Sequence, residues 1–296
     1  MSEFINFYFI PGVVLGSIYA LGAIGITLTF GILRFANFAH GESMTLGVYF
    51  AWSMVQFSGL HPLVVMPAAM LATVIVVLGI DRVFYKPLRE ASVVMLVIAS
   101  FGLMLMVRSV IQFTWGVQLK TVLPGIQMPY VIGDILRIAP KHVMIVAGAL
   151  LLMYAVHYLL TYTKIGKAMR AMSDSAELAR LTGIDTEKVV MATWIIGAAL
   201  ACAAGVFLAI DTQVETRMGF KLLLPMFAAA ILGGVGRPYG ALAGGLIIGL
   251  AEELSSYPWV GNEPLLNPGY KAGVAFAIMV GMLIWRPSGL FRGKVF

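Results

Sequence analysis

Stretches without a single Asp, Glu, Lys or Arg recur along this chain, at residues 4–33, 43–80, 91–107, 142–163, 189–210, 222–236, 238–251 and 272–285. A helix crossing the hydrocarbon core of a bilayer needs about 20 mostly apolar residues, and in lipid each backbone polar group must be satisfied within the structure itself. The 43–80 stretch breaks at "QFSGLHP", and the succession reads as about eight transmembrane helices. Period-two alternation is absent, which argues against a barrel. With 60% hydrophobic and 11% charged residues, the chain has too little polar surface for a soluble globule of this size. The expected fold is an all-α polytopic membrane protein, a single transmembrane domain over residues 1–296.

The N-terminal "MSEFINFYFIPG" carries Glu3 and no Lys or Arg before its apolar run, so it reads as a retained first helix from Phe9 onward, not a cleaved signal peptide. Lys and Arg set orientation by staying on the cytoplasmic side. With the N-terminus outside and the C-terminus in the cytoplasm, the inside set is Arg34, Arg82, Lys86, Arg89, Lys164, Lys167, Arg170, Arg180, Lys188, Arg237, Arg286, Arg292 and Lys294. Lys120, Arg137, Lys141, Arg217, Lys221 and Lys271 fall outside, and Arg108 lies in a span. The net charge of +6 is therefore a topology signal and gives no nucleic-acid surface. Outer loops at residues 114–140 and 255–267 hold much of the Pro, Trp and Tyr, as interfacial belts do, and offer a docking surface. Cys202, the single cysteine, sits among small residues and reads as packing; neither a disulfide nor a metal site is built from it.

Three spans carry Gly or Pro where a simple helix would not: "FGILRFANFAHG", "LLLPMFAAAILGGVGRPYGALAGG" and "HPLVVMPAAM". Inside a helix Gly costs up to about 1 kcal/mol and Pro about 3. Broken or re-entrant segments are expected near residues 31–45 and 225–240, in protein interior or along a wet cavity. The first two share an order of apolar run, Gly, basic residue and small-residue helix, as paired transporter halves do. Close packing through small-xxx-small spacing accounts equally well for Gly240, Gly244, Gly245 and Gly249.

Within the first break lie Asn37, His40 and Glu42. Burying Glu42 or Arg34 at the centre of a span costs about 2.5 to 3.5 kcal/mol. If the first helix ends near Gly31, Arg34 reaches the interface, Asn37 bonds freed carbonyls, Gly41 makes the turn, and Glu42 starts the next helix, where the dipole favours a carboxylate. The functional alternative has Asn37, His40, Gly41, Glu42 and Thr45, with Gly233 and Gly234 of the second break, bordering the translocation path or its gate. Both readings stay open. Thr27, Thr29, Ser43 and Thr45 are also ordinary backbone bonders. Arg108 reads as snorkelling outward, and Glu252 or Glu253 as meeting Arg217 or Lys221 at the outer interface.

The one long polar segment, residues 161–190, falls in the cytoplasm by the charge bias. Asp174 followed by Glu177 fits a capping box with a carboxylate cap, and Gly183 stands where a left-handed stop belongs. That predicts a short helix over 175–182, with Leu178 and Leu181 on one side and Glu177 and Arg180 on the other. Such a helix, carrying an exposed apolar edge, wants a partner; a helix lying on the membrane surface is the other reading.

Glu177, Leu178, Ala179 and Gly183 resemble the Glu-Ala-Ala and Gly core of the cytoplasmic loop in permease subunits of ATP-binding cassette importers, without its later Ile-x-Leu-Pro portion. More specifically, "GSIYALGAIGITLTFGILRFANFAHGESMTLG", "RAMSDSAELARLTGID", "ILGGVGRPYGALAGGLIIGLAEEL" and "RPSGLF" together resemble the branched-chain amino acid permease family, in particular its LivH-type membrane subunit. The resemblance implies a non-catalytic permease in the bacterial inner membrane, paired with a related LivM-type permease or with a copy of itself. Two cytoplasmic ATP-binding subunits would grip the loop at 161–188 through Asp174, Glu177, Leu178, Ala179, Arg180, Leu181 and Gly183, and a periplasmic solute-binding protein would deliver substrate. No catalytic residue, metal or cofactor is then expected on this chain, ATP and Mg being bound by the partner subunits. In agreement, no G-x-x-x-x-G-K-[ST] occurs, and "LGGVGRPYG" lacks the Lys and the hydroxyl needed for phosphate and magnesium.

The implied substrates are branched-chain or other hydrophobic amino acids, with urea, amides or aromatic acids as alternatives among relatives. An ion-coupled secondary transporter would instead pair ionisable residues deep in its spans, whereas here they cluster at span ends. An intramembrane enzyme has neither H-E-x-x-H nor G-x-S-x-G to work with.

Overall fold

The computed structural model describes residues 2–123, 128–132, 136–259 and 265–291; Arg292 and Lys294 of the inside set lie outside the described residues. The helices are α1 (Ile5–Leu33), α2 (Ala39–Ser58), α3 (Pro62–Leu88), α4 (Val93–Trp115), α5 (Pro140–Tyr162), α6 (Lys164–Asp174), α7 (Ala176–Leu181), α8 (Thr186–Asp211), α9 (Met218–Gly233), α10 (Pro238–Leu254) and α11 (Lys271–Trp285). An antiparallel hairpin, β1 (Tyr130–Ile132) and β2 (Leu136–Ile138), decorates the α4–α5 loop. Among the described residues α1, α3, α4, α5 and α8 are long and apolar enough to cross a membrane. With the more polar α2 and the shorter α9, α10 and α11, of 16, 17 and 15 residues, the bundle holds nine helices of at least 15 residues among the described residues. Opposite-sided ends need an odd number of crossings, whereas the expected eight would leave both ends on one side.

Apolar all round, α1 and α8 form the centre, as helices without a polar face must. Small residues let α1 approach α10. On α10, Gly245 and Gly249 face the backbones of Ala20 and Gly16, while Gly240 and Gly244 face Gly233 and Ala229 of α9. Two small-xxx-small faces on one helix thus clamp it between two neighbours, as their four-residue spacing predicts. Cys202 is buried against Gly47, a packing residue as expected.

The break after α1 is deeper than its sequence suggests. Arg34 ends the helix in the left-handed region (φ 59°, ψ 29°), just beyond Gly31, which abuts Gly236. Six residues later His40 lies against Gly25, about 12 Å back up α1 at 1.5 Å per residue. Residues 34–38 therefore climb into the bundle, and α2 begins there. Ser100 of α4 serves the freed backbone, accepting from Phe38 N–H at 3.2 Å and lying 3.3 Å from the Ala36 carbonyl. From the other face, residues 212–217 descend after α8, tethered where Val214 and Lys120 exchange backbone bonds of 2.7 and 3.1 Å. There α9 starts, with Gly219 against Gly41 of α2.

Re-entry near 31–45 is thus present. The second interruption comprises the turn at 234–237 and this descent at 212–217, which the sequence did not announce. Pro225 and Pro67 sit inside continuous helices, correcting the expectation that "HPLVVMPAAM" is interrupted. Pro62 occupies the first helical position of α3, where its missing N–H costs nothing, and His61 Nδ1 accepts from Leu63 N–H at 3.3 Å.

Candidate functional site

Two helix N-termini, of α2 and α9, meet inside the bundle, and polar residues gather around them. Glu42, fully buried in the first turn of α2, accepts from Arg108 Nε at 2.9 Å and Nη2 at 2.5 Å. Arg108 therefore does not snorkel: α4 brings its guanidinium across to Glu42 and over the ring of Phe220, 4.8 Å from the centroid. Glu42 does start a helix, as read from sequence, but that start is at depth and the carboxylate is balanced by a cation and by the positive ends of two helices. Gly41 is helical and makes no turn. Its missing side chain admits the Gly219 carbonyl, and Thr45 Oγ1 accepts from Gly219 N–H at 3.1 Å.

Asn37 acts as an acceptor, not as a donor to freed carbonyls: its Oδ1 takes Ala39 N–H at 3.0 Å and Tyr85 OH at 2.9 Å. Tyr85 is carried there by a wide π turn at Asp81–Tyr85 and stacks on Trp194 of α8, 5.0 Å between centroids. His40 is buried against Gly25, and its Nε2 has no partner among the described residues. Thr29, Ser43 and Thr45 bond carbonyls three or four residues back, as anticipated, whereas the buried Thr27 Oγ1, expected to do the same, has no partner among the described residues. Gly233 and Gly234 lie apart from this cluster, at the far end of α9, where Leu290 and Phe291 N–H groups cap the carbonyls of Leu232 and Gly233. Neither outer carboxylate meets Arg217 or Lys221: Glu252 accepts from Tyr19 OH and Glu253 from Lys271, each at 2.7 Å, while Lys221 pairs with Glu215.

The second region is the polar segment. It holds two helices where the sequence reading found one. α6 is capped by Thr163, whose Oγ1 accepts from Gly166 N–H at 3.1 Å, and buries Met169 and Met172 while showing Lys164, Lys167 and Arg170 to solvent. Asp174 closes α6, so it is not the cap of α7. Ser175, extended at φ −153° and ψ 110°, takes that role and accepts from Leu178 N–H at 3.3 Å. Gly183, at φ 82°, ends the turn as predicted. Ala179 is buried on the inner face of α7, while Leu178 and Leu181 stand 63% and 83% exposed, with Glu177 and Arg180 also exposed.

Beyond α7, Asp185 caps α8 by accepting from Lys188 N–H at 3.2 Å, and its side-chain bond to Lys188 holds its carboxyl below the usual carboxylate range. That contribution is present above the ordinary carboxylate pKa and is lost as pH falls through the lowered one. Glu187 then binds Lys86 and Arg89 at 3.1 and 2.8 Å, tying the start of α8 to the end of α3. Exchanging Ser175 for alanine is expected to cost about 1 kcal/mol of local stability, read as faster amide exchange in α7 with α8 unchanged.

The family model for the "Branched-chain amino acid transport system / permease component" matches residues 8–283. The chain is 33% identical to the high-affinity branched-chain amino acid transport system permease protein LivH of Escherichia coli K12, over 94% of this chain and 92% of that one. It is 31% identical to BraD, the corresponding permease protein of Pseudomonas aeruginosa, over 95% and 94%. A probable LivH of Methanocaldococcus jannaschii matches at 31% over 94% and 90%. A polytopic helical bundle with re-entrant helix ends and end-to-end similarity to these permeases identifies the chain as a member of the family of branched-chain amino acid transport permease components.

Proposed function

We propose that this permease is the membrane half of an ATP-binding cassette importer in the inner membrane, passing branched-chain or other hydrophobic amino acids handed over by a periplasmic solute-binding protein. An outside N-terminus and an inside C-terminus are supported by the basic residues of α6 and α7, which the charge bias assigns to the cytoplasm, and by an odd number of passes. A second permease, related or identical, completes the path, and two ATP-binding subunits supply the nucleotide and Mg. The relatives' names support the substrate class.

One observation carries this reading: α7 is a capped helix with Leu178 and Leu181 exposed and a buried base at Ala179. Ser173 of α6 lies against Gly31 in the last turn of α1, so a pull on α7 reaches the start of the re-entrant segment. With Leu178 and Leu181 both changed to Asp, co-purification of the ATP-binding subunit is expected to fall at least about tenfold, equivalent to about 1.4 kcal/mol, with the permease itself still folded. Retained co-purification together with normal leucine uptake would refute the assignment.

A further inference from the structure

Two neighbouring cavities share a wall on what the proposed orientation makes the cytoplasmic half of the molecule. The first, about 270 Å³, lies between the last turns of α1, Arg170 and Asp174 of α6, and Arg237 beside α10. The second, about 240 Å³, lies between α5 and α10 and is lined by Leu150, Met153, Ile24 and Leu242. Leu160, Pro238 and Tyr239 wall both.

Their chemistry differs along the groove. At the cytoplasmic mouth Arg170 and Arg237 are exposed, and neither guanidinium has an acidic partner among the described residues. Lys164 and Lys167 lie on the same short helix and are unpaired in the same sense. Deeper in, the walls are mostly aliphatic, with Tyr154, Tyr239 and His157 among them, and His157 Nδ1 lies 2.7 Å from Tyr239 OH. Tyr154, Tyr158 and Tyr162 stand exposed along α5 at four-residue spacing, as side chains do at a headgroup boundary.

We propose that this groove holds an anionic phospholipid of the cytoplasmic leaflet, its phosphate between Arg170 and Arg237 and one acyl chain between α5 and α10. The inference rests on the orientation given under the proposed function. Planar guanidinium forks match phosphate oxygens, and basic pockets between spans on the cytoplasmic side attract anionic headgroups. A free phosphate would leave the apolar half without an occupant, and a cytoplasmic protein has no route into a space between spans. Bridging α6 to α1 and α10, the lipid would brace the base of α7.

The test is lipid retention by the full chain purified in mild detergent, followed by native mass spectrometry after adding phosphatidylglycerol or phosphatidylcholine. Neither ATP-binding subunits nor transport is needed, so failure here is separable from failure of the importer reading. Phosphatidylglycerol is expected to be retained at least about tenfold better than phosphatidylcholine, about 1.4 kcal/mol. Arg170→Gln with Arg237→Gln should abolish that preference, and Leu242→Trp should reduce retention with both arginines present. Arg82→Gln, the same charge change elsewhere on the cytoplasmic side, should leave it intact. If the double variant does not fold, Arg170→Lys and Arg237→Lys singly should each give intermediate retention. Equal retention of the two lipids, an unaffected double variant, or an equal loss in Arg82→Gln would overturn the proposal. Unchanged lipid retention with lost capture of an ATP-binding subunit would do so too, by giving the arginines to a protein surface.

Discussion

Arg108→Leu is expected to destabilise the protein by about 3 to 5 kcal/mol, because it strands a buried carboxylate. The side chain of Glu42 is 0% exposed and that of Arg108 is 15% exposed, so neither water nor another cation among the described residues replaces the lost partner. The ends of α2 and α9 soften the penalty without removing it, since helix termini are worth up to about 2 kcal/mol even when partly buried. Adding Glu42→Gln to Arg108→Leu should recover most of the loss: the double variant buries a neutral amide in place of an unpaired charge. Thermal unfolding in detergent, arranged as a double-mutant cycle, measures this. A loss under about 1 kcal/mol for Arg108→Leu, or strict additivity of the two changes, would show that the pair is solvated and α4 is not pinned.

That pair also marks the limit of what the sequence made legible. Charge-free runs exposed the spans, and glycines at four-residue spacing exposed both faces of α10, because each signal is local and repeats with the helix. Gly183 as a helix stop was equally local. Its cap was not: Asp174 and Ser175 are adjacent and both are good capping residues, and only the existence of α6 ahead of them decides that Asp174 ends one helix and Ser175 starts the next. The α6 pattern of Ile165, Met169 and Met172, with Thr163 before it, was present in the sequence but overshadowed by its lysines. Arg108 and Glu42 lie 66 residues apart, and no local rule joins them. Depth was invisible for a related reason. A break at "RFANFAHG" says that a helix ends, whereas the height at which the next begins depends on Ser100, Tyr85 and Gly219, all from other helices.

Gly219→Val is expected to lower amino acid uptake at least about tenfold, about 1.4 kcal/mol, while leaving capture of the ATP-binding subunits unchanged. A Cβ at Gly219 would collide with the Gly41 carbonyl and with Thr45 Oγ1, and a Cβ at Gly41 would come within 2.6 Å of the Gly219 carbonyl. Here backbone meets backbone, and no flexible side chain is available to yield, so the helix ends must part; overpacking of this kind costs about 1 to 3 kcal/mol, occasionally more. Parting them also strains the Gly219 N–H bond to Thr45 and shifts the seat of Arg108 on Phe220. Gly219→Ala should fall between wild type and valine. Gly102→Ala is the contrasting case: it sits on α4, where a Cβ would meet nothing within 4 Å, and uptake should be unaffected. Normal uptake by Gly219→Val would mean that α2 and α9 separate without consequence, and the junction of the two re-entrant ends would then be packing alone, with the moving part of the path elsewhere in the bundle.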